Sequence, residues 1–271
     1  MSTSALPLSV IHVTGNDAMN FLQGQLTQDV TSLKERWNYT AQCNPQGRVI
    51  AFFIVFQWGD DFYLVMDKET SEETIAQLQK YVMRSKVAFS LKEDSVYYVA
   101  SDDSASDDES LKIVKKNEDT FILEQDQGAL YISLNAPEQA ISSNEWHKVN
   151  IQKLIPSLTK KALGQFTPEA INLDLLGSVS FTKGCYTGQE IVARMHYLGK
   201  AKKRLFKVTL QGNLENIAVA DKISDSEGKT IGHLVDYEAS GNALISIKST
   251  LNATLTRNKS CIQAVNGELM L

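Results

Sequence analysis

The sequence predicts an α+β protein, with mixed helix and strand through residues 1–204 and an all-β module over residues 205–271. Three patterns carry that expectation. The apolar run 49–56 follows the tetrapeptide Asn44-Pro45-Gln46-Gly47, which has Pro at the second and Gly at the fourth position of a type I turn. Ile75, Leu78 and Val82 recur at the spacing of one helix face. Beyond Leu205, short apolar runs alternate with polar turns containing Gly212, Gly228 and Gly241.

Taken in order, Asn16 or Asp17 is the expected cap of a first helix, with Ala18, Phe21 and Leu22 on its buried face and Gly24 as its stop. Residues 39–43 and 49–56 form a hairpin, and Gly59-Asp60-Asp61 turns the chain into a third strand at 62–66. The next helix carries Glu72 and Glu73 early and Lys80 and Arg84 late, the order that the helix dipole favours. Strands are expected at 96–100, 120–123 and 129–133, and a helix over 146–154 ends before Pro156. Residues 101–110 are small and acidic without an apolar side chain, so they read as an exposed loop; their carboxylates lack the spacing of a calcium-binding loop. Strands at 206–210, 230–235, 243–247 and 253–256 complete the all-β module.

Composition narrows the function. The chain has 271 residues with 43% apolar and 22% charged side chains, the balance of a soluble domain with a well-buried core. No run approaches the ~18–20 apolar residues of a membrane span, and the first ten residues lack the basic start and apolar run of a signal peptide. A cytoplasmic protein is expected. The three cysteines, Cys43, Cys185 and Cys261, are widely spaced and include no Cys-x-x-Cys pair, so neither a disulfide framework nor a metal-ligand set is expected. The four histidines are not at ligand spacing either, and no metal site is assigned. The net charge is −5, yet between Lys183 and Lys207 seven basic residues face one acid, Glu190. A basic stretch beside a site attracts anionic ligands, while the acidic remainder argues against general nucleic-acid binding.

The segment Lys183-Gly184-Cys185-Tyr186-Thr187-Gly188-Gln189-Glu190 concentrates the chemistry. Thr187 to Glu190 fits an S/T-x-x-E capping box, followed by Ile191, Val192 and Met195 as an apolar face, so a helix is expected to start near Gly188. Cys185 then lies just before a helix N-terminus and two residues from Lys183. A helix N-terminus and a nearby ammonium both favour a thiolate. A lone cysteine is ordinarily a small buried apolar residue; among the three, Cys185 alone has a physical argument for reactivity. His196 falls along the same helix, a poor position for a general base to that thiol.

The run from Phe181 to Glu190 resembles the signature of the YgfZ family of folate-binding proteins, whose eukaryotic relatives assist mitochondrial iron–sulfur assembly. The likeness extends to Pro168-Glu169 and Asn172-Leu173-Asp174-Leu175-Leu176-Gly177. It recurs at Gly15-Asn16-Asp17-Ala18, at Phe21-Leu22-Gln23-Gly24-Gln25-Leu26-Thr27-Gln28-Asp29-Val30 and at Asn44-Pro45-Gln46-Gly47-Arg48. The resemblance implies the fold of the glycine-cleavage aminomethyltransferase: two interlocked α/β subdomains and a C-terminal β-barrel around a central hole. Residues 1–204 then form the folate-binding region and 205–271 the barrel.

By that resemblance the protein is expected to bind tetrahydrofolate or a one-carbon derivative and to maintain or repair iron–sulfur enzymes, including tRNA-modifying ones, through the motif cysteine. The expected reactive pair is Cys185 with Lys183. The expected folate contacts are Tyr186, Gln189, Glu190, Arg194 and Trp146, the two aromatic rings being suited to a pterin face. Folate and iron–sulfur client enzymes are the expected partners, with no membrane and no direct nucleic-acid partner. The alternative is a folate-dependent aminomethyl or methyl transferase on the same fold. A third reading takes the motif as a plain capped helix in a module that binds another ligand.

Overall fold

A computed structural model of the protein describes residues 5–101, 111–117, 120–199, 202–251, 261–265 and 267–271. Most of the acidic stretch, the strand expected at 253–256 and Lys200 of the basic stretch lie outside them. The chain builds two units, each from three separated stretches of sequence. Unit 1 takes Met1–Cys43, Ala51–Trp146 and Gly177–Thr187; unit 2 takes Asn44–Ile50, His147–Leu176 and Gly188–Leu271.

Unit 1 contains β1 (Leu8–Thr14), α1 (Ala18–Gln25), β2 (Trp37–Cys43), β3 (Val49–Trp58), β4 (Asp61–Asp67), α2 (Ser71–Gln79) and β5 (Ala88–Leu91). These are followed by β6 (Ser95–Ala100), β7 (Ile113–Asn117), β8 (Thr120–Gln125) and β9 (Gly128–Ser133). The first sheet has the order β2-β3-β4-β1-β5 and the second the order β6-β9-β8-β7. Side chains alternate across a strand, and here both faces of the first sheet are covered. Ile11, Phe53, Val55, Leu64 and Met66 pack with Phe21 and Leu22 of α1 and Leu78 of α2. The intervening Val10, Ile54, Phe56, Tyr63 and Val65 pack with Tyr98, Phe121, Leu123 and Leu130 of the second sheet. That explains why β3 reads as a nearly unbroken apolar run rather than an alternating one.

Several local expectations hold and several are corrected. The turn after β2 forms as expected, with Gly47 N–H donating to Asn44 O at 2.9 Å and Asn44 Oδ1 accepting from the amides of Gln46 and Arg48. Asp17 is the residue before α1, but its carboxylate does not cap; it accepts from the Lys86 amide at 2.7 Å, in the segment leading to β5. Gly24 does not stop α1, which runs through Gln25 and ends where Leu26 turns extended. Lys80 and Arg84 fall beyond the end of α2, so they do not occupy its last turn. Strands β1, β5 and β7 were not read from the sequence. β1 is central all the same, pairing antiparallel with both β4 and β5.

The second part of α3 (Ser143–Gln152) belongs to unit 2, together with α4 (Gln189–Leu198), β10 (Lys203–Gly212), β11 (Lys222–Ser224), β12 (Thr230–Tyr237), β13 (Asn242–Lys248), β14 (Cys261–Val265) and β15 (Glu268–Met270). Strands β10-β13-β12-β11-β15-β14 close into a barrel, sealed by parallel pairing of β14 with β10. Its interior is aliphatic, with Val208, Leu210, Ile223, Leu234, Ile245, Ile247 and Ile262 at its centre. A polar tie joins α3 to the barrel: His147 Nε2 donates to Asp236 Oδ1 at 2.9 Å, and the Ser157 amide donates to Asp236 Oδ2. The Asp236 hydrogen bond raises the His147 pKa against the effect of burial.

The turn Pro168–Ile171 docks on the same barrel through the residue that ends it. Asn172 sits in the left-handed region (φ 57°) and pairs like a strand residue with Leu205, its Nδ2 donating to Leu205 O at 3.0 Å and its Oδ1 accepting from Leu205 N at 3.1 Å. Asp174 receives Arg204 Nη1 on both oxygens, at 2.7 and 2.8 Å, and Ser246 Oγ donates to Ala170 O. Asn tolerates the left-handed region and supplies both a donor and an acceptor; Ala does neither. Asn172→Ala is therefore expected to lose about 2–4 kcal/mol of unfolding free energy, and Asn172→Gly less because it keeps the conformational freedom. Chemical denaturation of the two variants checks this; equal losses would remove the conformational part of the account.

Candidate functional site

The chain from Gly177 to Thr187 is held in unit 1 by the stretch 24–29. Thr27 Oγ1 donates to Ser178 O at 2.7 Å, Ser180 N donates to Thr27 O at 2.9 Å, and Gln28 Nε2 donates to Gly177 O. Thr27 is itself fixed to β2, its amide donating to Ala41 O and its hydroxyl accepting from Ala41 N. The Lys183 side chain closes this cradle. It is 9% exposed, and its ammonium donates to Leu26 O at 2.8 Å and Gln28 O at 2.7 Å while lying 5.3 Å from the Tyr186 ring centroid. Burial pulls its pKa down to about 8, opposed by the charge of Asp29. Asp29 stays ionised because the Thr31 hydroxyl and amide and the Gln23 side chain hold its pKa below the usual value, against desolvation.

Lys183 is thus a buried pin, not a surface lysine. Two residues on, Cys185 is exposed, whereas Cys43 is buried and Cys261 intermediate. Tyr186 is buried at 7%. Trp146 is half-buried against the cluster of β6, β8 and β9. The structure therefore brings together Lys183, Tyr186 and the early stretch 24–29. The residues Thr27, Gln28 and Asp29, which carry this arrangement, were not singled out from the sequence; their signal was the Leu26-Thr27-Gln28-Asp29 run alone.

The capping box does not form. The residue before α4 is Gly188, in the left-handed region (φ 84°, ψ −2°), with no side-chain cap hydrogen bond, and the helix begins at Gln189. Glu190 then stands at the second helical position instead of the third, out of register for a reciprocal cap. Its carboxylate pairs with Arg194 Nη2 at 2.7 Å, one turn along an exposed face. Thr187 donates its amide to Gly24 O at 3.3 Å.

Unit 2 holds a second chemically unusual group. Glu169 is 1% exposed, and neither carboxylate oxygen has a well-formed hydrogen bond among the described residues. Burial raises its pKa to about 7. Its own amide and the Thr167 hydroxyl favour the charged form too weakly to offset that, and the charges of Asp174 and Arg204 act in opposite directions. A carboxylic acid that titrates near neutrality inside a fold is a site candidate. From the sequence, Glu169 stood out only as part of Pro168-Glu169.

Comparison with known proteins places this geometry. The GCVT N-terminal domain family matches residues 5–104. The aminomethyltransferase T of the glycine cleavage system from Bartonella henselae superposes with a TM-score of 0.63, over 90% of this chain and 76% of that one, at 14% identity. The protein therefore has the aminomethyltransferase-type α+β fold, ending in the closed six-stranded barrel. The tRNA-modifying protein YgfZ of Hamiltonella defensa is 31% identical over 266 residues, spanning 88% of this chain and 76% of its own. Its namesake in Escherichia coli O157:H7 is 30% identical over 221 residues, 73% of this chain and 68% of its own. The chain belongs to the YgfZ family.

Two expectations follow from the site. Lys183→Met keeps the apolar stem but leaves the Leu26 and Gln28 carbonyls without their donor, a loss of about 1–3 kcal/mol, readable by urea denaturation. A variant as stable as the parent would show that the ammonium is not the pin. For Glu169 the folded pKa, about 7, lies above the unfolded value of 4.5. Its contribution is complete below pH 4.5 and is lost as pH rises through 7. Glu169→Gln should therefore be more stable than the parent at pH 8, by up to about 3 kcal/mol, with the advantage vanishing near pH 4.5. Parallel stability profiles for the two proteins between those pH values would refute the assignment.

Proposed function

We propose that this protein is a tetrahydrofolate-binding accessory factor of the cytoplasm that maintains or repairs iron–sulfur enzymes, tRNA-modifying ones among them, with Cys185 as its working thiol. The observation that carries the reading is the contrast within one tripeptide. Lys183 is buried and fixed by two carbonyls, and Cys185, two residues later, is exposed to solvent. Lys183 in this reading positions the thiol and does not react. The YgfZ relatives bear the name of tRNA-modifying proteins, which agrees with a role in keeping such enzymes active.

The residues present fit a folate. A pterin offers several N–H donors, and in unit 1 the described residues include two buried acceptors without partners, Gln42 Oε1 and Ser178 Oγ. We assign Tyr186 and Trp146 as aromatic neighbours of the pterin, Gln189 and Glu190 as hydrogen-bonding groups, and Arg194 as the cation for a glutamate carboxylate. When bound, tetrahydrofolate supplies one-carbon carriage on its reduced ring. The chain's own residues supply binding, orientation and the thiol. A transferase on the same fold has only the shared architecture in its favour.

Cys185→Ala is expected to fold normally, to bind tetrahydrofolate in a calorimetric titration, and to fail to restore iron–sulfur enzyme activity in cells lacking the protein. Full restoration by the variant would sink the thiol's role, and absence of saturable folate binding by the parent would sink the ligand assignment.

A further inference from the structure

Unit 2 contains a concave site that none of the preceding chemistry uses. The cavity measures about 540 Å³, the size of a small-ligand pocket, and its walls divide into a cationic part and an apolar part. Arg48, Lys202, Lys203 and His233 form the first; Phe166 and Met195 form the second; no carboxylate lines it among the described residues.

Arg48, the two lysines and the His233 imidazole come from three separate parts of unit 2, and Arg48, Lys203 and His233 are positioned by contacts of their own. Arg48 leaves the turn after β2, and its Nη1 donates to Gln165 O. That turn is tied down next door by Val49 N–H donating to Phe166 O at 2.8 Å. Lys202 immediately precedes β10, whose first residue is Lys203; Lys203 Nζ lies 3.3 Å from Nδ1 of His233 on β12. The His233 ring in turn meets the Phe166 ring edge-on, with centroids 6.4 Å apart.

Within this cluster the charges oppose one another. Desolvation and then the neighbouring Arg48 and Lys248 lower the Lys203 pKa. Desolvation and then Lys203, Lys222 and Arg48 lower that of His233. No ion pair relieves Arg48, Lys202, Lys203 or His233 among the described residues. Like charges gathered at the wall of a half-enclosed cavity repel, and in a low-dielectric recess that repulsion is stronger than on an open surface. An anion in the cavity attracts each of these cations and so offsets their mutual repulsion.

We propose that this cavity binds a compact polyanion, a ligand with two or more clustered phosphate or carboxylate oxygens joined to a flat or apolar body. Arg48 offers a planar fork for two oxygens, Lys202 and Lys203 offer point charges, and His233 becomes a donor once an anion is beside it. Phe166 and Met195 take the apolar body. None of the folate contacts assigned above lines this cavity, and neither Cys185 nor Lys183 takes part.

Calorimetric titration of the full chain, without folate, tests it with pyrophosphate and ADP as phosphate probes, citrate as a polycarboxylate and adenosine as the neutral body. Saturable one-to-one binding of an anion that weakens with added salt is expected, together with a shift of the His233 ring signals in NMR. Binding of the phosphates alone, or of citrate alone, identifies which oxyanion the cavity takes; ADP tighter than pyrophosphate places the body on Phe166. Arg48→Ala and the exposed Lys202→Glu should each weaken binding about tenfold or more, while Lys80→Ala, an exposed lysine of unit 1, should leave it within about twofold. No saturable binding of any anion overturns the proposal. So does a loss of affinity as large in Lys80→Ala as in the cavity variants, which would mean general attraction to positive charge.

Discussion

A lysine ammonium taken out of water is one of the less favourable things a fold can bury, and Lys183 is buried almost completely. It stays there because two backbone carbonyls, an aromatic face and the ionised Asp29 replace its hydration. Those carbonyls belong to a stretch more than 150 positions earlier in the chain. The exposed thiol of Cys185 is thus presented by a contact that exists only when both distant stretches are in place. The same requirement explains why Thr27 and Gln28 hydrogen-bond at once to β2 and to the segment 177–180.

Unit 2 uses the same device in another form. Asn172 imitates a strand residue opposite Leu205, and Asp174 receives the Arg204 guanidinium on both oxygens. Polar side chains here fix the position of a turn on the barrel through directional contacts that apolar packing does not supply. Apolar burial supplies most of the driving force in both units, and these few polar contacts select one arrangement.

The groups left over after that structural work are the chemically interesting ones. Cys185 is exposed to solvent, Glu169 has a buried carboxyl without a well-formed hydrogen bond, and the cations around His233 have one another. Glu169 and the cluster around His233 depart from the rule that buried or clustered polar groups are satisfied, and such departures gather where a protein meets its ligands.

Much of the architecture was legible in the sequence, because hydrophobic period and turn chemistry are local. The hairpin at Asn44 to Gly47, strands β4, β6, β8 and β9, helix α3 and the barrel strands β10, β12 and β13 follow from spacing and turn residues, whereas β11, β14 and β15 were not read. Strand β1 escaped because Ser9 and His12 split its apolar residues into Leu8, Val10-Ile11 and Val13, neither a continuous run nor a strict alternation. The capping box failed because Gly188 took a left-handed conformation and moved the helix start by one residue, enough to put Glu190 out of register. The amino-acid sequence by itself singled out Cys185 among the three cysteines, and the segment around it, as the candidate site. Only the tertiary structure decided that Lys183 faces inward while Cys185 faces solvent, and that Arg48, Lys203 and His233 share one cavity. Those assignments depend on contacts between residues far apart in the chain, and no local pattern encodes them.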